Sequence, residues 1–174
     1  MVVNVSDILN ERGAEKKFAG EVQLKDTVYQ GDELSFPSSF DVWGKIVNGR
    51  DYLYMTVDVR GDIIIPCSRC LKPYTHEIDL SFVAKLSNSA DTMEDDDPNL
   101  IIYTGNRVKL DKIVYEYILL KLPIKRVCSA DCKGLCPKCG TDLNRDECNC
   151  DRDDDIDIRL LELKKLLPSD SEEV

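Results

Sequence analysis

The sequence predicts an α+β fold. A β-rich N-terminal half, built as a small antiparallel sheet or partial barrel, is followed by one amphipathic helix, a four-cysteine segment and a C-terminal helix. Three observations predict it. Apolar residues alternate with polar ones over 52–60 and 74–86, and a helical period takes over near residue 110. Six of the eight cysteines then crowd into 127–150.

In chain order, EVQLKDTV (21–28) and FDVWGKIV (40–47) are the weaker strand candidates. Asn48-Gly49 falls between two strand candidates and predicts a hairpin turn. In YLYMTVDVR, Leu53, Met55, Val57 and Val59 share one face. Arg60-Gly61-Asp62 is read as the opening of the next turn. In YTHEIDLSFVAKL, Tyr74, His76, Ile78, Leu80, Phe82, Ala84 and Leu86 form one face and Thr75, Glu77, Asp79, Ser81, Val83 and Lys85 the other. An acidic loop at 88–99 has no apolar pattern and reads as a solvated linker. Beyond it, Leu110, Ile113, Val114, Tyr117 and Ile118 make the stripe of an amphipathic helix that Pro123 stops. Ile156, Leu160, Leu163 and Leu167 predict the second helix, with Asp153–Asp155 at its positive end and Lys164 and Lys165 at its negative end. Both stripes are core-forming patterns.

Composition narrows the class. The chain has 174 residues, 43% hydrophobic and 32% charged, as in ordinary globular proteins. No apolar run reaches the roughly 18 residues a membrane span needs, and the N-terminal residues lack the pattern of a secretory signal, so a cytoplasmic protein without a membrane partner is expected. The net charge is −10, and the segments 91–97 and 151–174 account for all of it. The remaining body is near neutral, with Lys121, Lys125, Arg126, Lys133 and Lys138 gathered around the cysteines. That balance excludes a protein coated in nucleic acid but leaves a local basic face for phosphates. The same cations also serve to offset thiolate charge.

Reduced thiols in a cytoplasmic setting bind metal or do redox chemistry more often than they form structural disulfides. The cysteines fall in four close pairs, C-x2-C at Cys67/Cys70, C-x3-C at Cys128/Cys132, C-x2-C at Cys136/Cys139 and C-x-C at Cys148/Cys150. Each pair aims two sulfurs at one ion, and structural zinc takes four ligands in a tetrahedron. LCPKCG has the form of a zinc knuckle, which Cys148 and Cys150 complete locally, so Cys136, Cys139, Cys148 and Cys150 are one predicted site. By elimination Cys67, Cys70, Cys128 and Cys132 are the second. One well-formed site with a loose remainder is the structural alternative, with His76 as a substitute ligand if the pairs divide otherwise. Two zinc-ribbon-like structural ions are therefore expected, with iron the alternative for an all-thiolate tetrahedron. The domain reading is a β-rich core with one helix over 1–126 and a zinc-binding segment with its C-terminal helix over 127–174.

Catalysis is not expected. A catalytic zinc keeps an open position and uses histidine or carboxylate ligands, whereas this chain has one histidine. No phosphate-cradling glycine loop, nucleophile elbow or Ser/His/Asp set is visible, and no small-molecule substrate is implied. The Cys67/Cys70 pair runs straight into a strand rather than opening a helix as a thioredoxin-like pair does.

The order of these parts resembles the YceD family of large ribosomal RNA subunit accumulation proteins, over roughly residues 1–167. The motifs are C-x2-C-L-x-P at Cys67, E-x-x-x-L-x-L-P at Glu116 and C-K-G-L-C-P-x-C-G at Cys132. The family occurs in bacteria and plastids, and its gene commonly neighbours that of a small zinc-binding protein of the large subunit. The resemblance implies a non-enzymatic factor in large-subunit biogenesis whose partner is ribosomal RNA or a large-subunit ribosomal protein, a small zinc-binding one included. Lys121, Lys125, Arg126, Lys133 and Lys138 are then the RNA-facing candidates, and the acidic loop the protein-facing one. Two other classes stay open: a zinc-ribbon interaction module in transcription or regulation, and a thiol-based redox or zinc sensor.

Overall fold

A computed structural model describes residues 1–49, 51–88 and 100–150. The chain divides into two compact units, Met1–Gly134 and Leu135–Val174. The predicted C-terminal helix and nearly all of the acidic loop lie outside the described residues.

The first unit is organised by one long hairpin. β5 (Phe40–Asn48), β6 (Leu53–Pro66) and β7 (Pro73–Ser87) follow one another as antiparallel neighbours in a five-stranded sheet whose edge strands are β2 (Glu15–Val22), beside β5, and β8 (Leu100–Ile102), beside β7. The alternation read from sequence sets the register. Met55 pairs with Ala84, Val57 with Phe82 and Val59 with Leu80, and all six side chains are buried on one face. The turn at Asn48-Gly49 joins β5 to β6, with Gly49 N–H donating to the Tyr52 carbonyl at 2.9 Å. Buried Asn48 uses its side-chain amide on the carbonyls of Ile8 (2.7 Å) and Leu9 (3.0 Å), tying the N-terminal segment to the turn.

Three strand expectations are corrected. Arg60-Gly61-Asp62 opens no turn; it lies inside β6, with Arg60 opposite Asp79 and Gly61 opposite Ile78. Gly61 is there for close approach, because a Cβ on it would stand 2.6 Å from the buried Phe40 ring. EVQLKDTV is not one strand. Its first two residues end the edge strand β2 (Glu15–Val22), and Thr27 and Val28 begin β3 (Thr27–Tyr29), which pairs with β4 (Asp32–Leu34). The sheet is also not wholly antiparallel, since β8 (Leu100–Ile102) runs parallel to β7. Parallel neighbours need a crossover rather than a tight turn, and in the sequence twelve residues separate Ser87 from Leu100.

A small ribbon pairs β1 (Val2–Asn4) with β9 (Arg107–Lys109), and β9 leads directly into α1 (Leu110–Lys121). Leu110, Ile113, Val114 and Ile118 of α1 are buried, and the helix packs chiefly on β7. Tyr117 stacks on Phe82 with 3.7 Å between ring centres. Leu122 turns to extended backbone (ψ 134°), as the residue before a proline should, and so the helix ends where Pro123 requires. α1 is the one helix among the described residues, so the fold there is more β-rich than a balanced α+β protein. No helix among them is long and apolar enough to cross a membrane.

Candidate metal centres

The turn between β6 and β7 carries Cys67 and Cys70. Cys67 N–H donates to the Lys72 carbonyl and Leu71 N–H returns to the Cys67 carbonyl, both at 2.9 Å. That loop requires Leu71 to take a left-handed conformation, φ +59°. The segment after α1 then brings Cys128 and Cys132 against this turn. Ser68 N–H donates to the Arg126 carbonyl, and the Arg69 guanidinium donates to the Cys132 carbonyl at 2.8 Å. Gly134, at φ +77°, passes the Arg69 backbone so closely that a Cβ there would lie 3.0 Å from its carbonyl oxygen.

The result is a quartet of sulfurs within 4.8 Å of one another. Cys67 Sγ lies 3.8 Å from Cys132 Sγ, and Cys70 Sγ lies 3.7 Å from Cys128 Sγ. A tetrahedron with metal–sulfur bonds near 2.3 Å has edges of about 3.8 Å. A disulfide would need about 2.05 Å, and all eight cysteines are free thiols. Backbone N–H groups of Arg69 and Cys128 each point at Cys67 Sγ at 3.4 Å.

The second unit repeats the device. Cys136 N–H donates to the Thr141 carbonyl at 2.8 Å and Gly140 N–H to the Cys136 carbonyl at 2.9 Å, the same two bonds at the same spacing as in the Cys67 turn. Gly140, at φ +74°, stands where Leu71 stands in the first. Cys136, Cys139, Cys148 and Cys150 form the second quartet, again with all sulfurs within 4.8 Å. Thr141 Oγ1 lies 3.1 Å from Cys139 Sγ, a partner the spacing of cysteines alone does not reveal. Asp142 shapes the following loop by accepting the N–H of Asn144 on its side chain and of Arg145 and Asp146 on its carbonyl, each at 3.0 Å.

Each quartet polarises its own thiols. Burial pushes Cys67 up, but backbone N–H groups of Cys70, Cys128 and Arg69 outweigh it and bring the thiol down to about 6. Contact with Cys132, together with burial, drives Cys128 up to about 12. In the second quartet the backbone N–H groups of Cys139 and Lys138 bring Cys136 down to about 6, while contact with Cys139 drives Cys150 up to about 12. Four sulfurs this close cannot all ionise unless a cation sits among them. The donor set fits a tetrahedral thiophilic ion such as zinc.

His76 belongs to neither quartet. It is half-buried on β7, opposite Ile63 and edge-on to Tyr74. Of the basic residues, Lys121, Lys125 and Lys133 are exposed on the first unit and Lys138 on the second. Arg126 differs from them: its side chain is only 12% exposed and is held 2.7 Å from Asp32 of β4.

Two four-cysteine knuckles, one of them built into a β-rich domain, define a class of proteins with cysteine clusters positioned to hold a metal ion. The chain belongs to the YceD family: the model of the "Large ribosomal RNA subunit accumulation protein YceD" matches residues 55–167. The Bacillus subtilis protein YlbN, named as uncharacterized, is 33% identical over 161 residues, 90% of each chain. An uncharacterized protein of Mycobacterium tuberculosis is 29% identical over 122 residues, and this chain spans 57% of that relative's length. The Arabidopsis thaliana "Large ribosomal RNA subunit accumulation protein YCED homolog 1, chloroplastic" is 34% identical over 47 residues, 27% of this chain and 15% of that one. No solved structure matches.

Proposed function

We infer that the chain is a non-enzymatic, cytoplasmic factor in large ribosomal subunit biogenesis, supporting accumulation of large-subunit ribosomal RNA, and that its eight cysteines hold two structural zinc ions. The observation that carries the metal reading is the sulfur cluster of the first quartet, with edges of 3.7 and 3.8 Å, and the matching knuckle in the second. Membership of the YceD family carries the ribosomal one.

The first site fastens the β6–β7 turn to the segment after α1 and so presents Lys121, Lys125 and Lys133 from an ordered backbone. Lysines of this kind bind phosphate by charge, without reading bases. Arg126, committed to Asp32, acts instead in holding that segment to β4. The partner is ribosomal RNA or a large-subunit ribosomal protein, a small zinc-binding one included, and the acidic loop at 88–99 suits the basic surface of such a protein. Replacing Lys121 and Lys125 by glutamate lowers co-sedimentation with large-subunit precursors and flattens its salt dependence, because fewer phosphate contacts release fewer counterions. Undiminished co-sedimentation of a double variant that retains its zinc rejects the RNA-facing assignment.

A further inference from the structure

The two quartets differ in the properties that govern how easily a metal changes ligands. In the first, Cys67, Cys70 and Cys132 are buried and Cys128 alone is exposed. Its ligands come from two separated parts of the chain, and opening it means parting the Ser68–Arg126, Arg69–Cys132 and Arg126–Asp32 contacts as well. In the second, Cys136 alone is buried, Cys139 is exposed, and Cys148 and Cys150 are half-exposed. All four ligands lie within residues 136–150, and Cys148 and Cys150 stand in a stretch without helix or strand. Among the described residues a local opening there breaks few other bonds, whereas the first site opens only with the core around it.

Resting on the metal reading above, we propose that the second quartet is an exchange site, which trades its zinc with external thiol ligands, while the first keeps its ion as part of the fold. The step is a ligand substitution. An incoming thiolate forms a bond to zinc as the bond from Cys148 or Cys150 breaks, and the displaced cysteine takes the proton that the incoming thiol has given up. No electrons change hands. Repetition at the remaining sulfurs moves the ion out, and reversal brings one in.

The test uses the full chain with two zinc ions counted by native mass spectrometry. Isotopically distinct zinc is presented as its glutathione complex, and in a parallel sample 4-(2-pyridylazo)resorcinol withdraws zinc while N-ethylmaleimide marks the cysteines set free. One ion exchanges at least about tenfold faster than the other, and the first cysteines marked are Cys136, Cys139, Cys148 and Cys150. Equal exchange rates, or earlier marking of Cys67, Cys70, Cys128 and Cys132, overturn the proposal. A chain that binds no zinc at the outset overturns the metal reading, and the exchange site with it.

Discussion

Leu71 and Gly140 occupy the same place in two copies of one turn, both at positive φ. Glycine pays little for that conformation, while a residue with a Cβ is strained by about 1–2 kcal/mol. Leu71 is 66% exposed, so its side chain returns little by packing. Leu71→Gly should therefore raise the stability of the zinc-loaded chain by up to about 1 kcal/mol in denaturant unfolding. Gly140→Ala, where a Cβ would meet nothing within 4 Å, should weaken the second knuckle through strain alone. Destabilisation by the first substitution contradicts the equivalence of the two turns. The glycine after Cys139 was legible in the sequence as a knuckle signal; Leu71 was not, because leucine gives no hint of a left-handed backbone.

The sulfurs make a second prediction at this scale. Cys67 and Cys136 are each brought down to about 6 by the backbone N–H groups around them. Protons compete with metal for every thiolate, so zinc affinity falls as the pH is lowered. The fall steepens below about 6, where these last sulfurs also take up protons. Zinc-binding titrations across about pH 5 to 8 check this, and a pH-independent affinity contradicts it.

At the scale of elements, β5, β6, β7 and α1 were legible because each buries one face only, and a one-faced element writes its period into the sequence. β2 was not. It is an edge strand whose residues are mostly exposed, so its charged sequence carries no alternation to read. The Arg60-Gly61-Asp62 error has another cause: glycine marks both turns and close packing, and only the position of Phe40 distinguishes them. Gly61→Ala should cost about 1–3 kcal/mol by forcing that ring aside. On α1, Ile118→Ala should cost about 2–5 kcal/mol, since the side chain is fully buried in the core. Leu120→Ala, on a residue 78% exposed, should fall within about 0.5 kcal/mol. Equal costs from the two substitutions would reject the assigned helix face.

At the scale of the whole molecule, the grouping of eight cysteines into two quartets was readable from pair spacing and local completion. The surroundings of the quartets were not. Asp32 claims Arg126 across many residues of sequence, and no local pattern announces a partner that only the fold delivers. The same arrangement sets what each site does for the chain. The first quartet joins parts of the sequence separated by the whole of β7, β8, β9 and α1, so an ion held there would stabilise the long-range fold, as a staple does in a small core. Removing both ions with a strong chelator should loosen the β6–β7 turn and the segment 124–134 while the centre of the five-stranded sheet stays protected. Hydrogen exchange resolved by peptide measures that difference directly.

In the proposed role the thiol centres serve the accumulation of large-subunit ribosomal RNA. Its most direct test is the ratio of large- to small-subunit ribosomal RNA in cells depleted of this protein and supplied with either the wild-type chain or a Cys136→Ser/Cys139→Ser variant at equal abundance. Depletion should lower the large-subunit RNA selectively, and the wild-type chain should restore it while the variant does not. An unchanged ratio after confirmed depletion contradicts the ribosomal role, and full rescue by the variant contradicts the part assigned to the second metal centre.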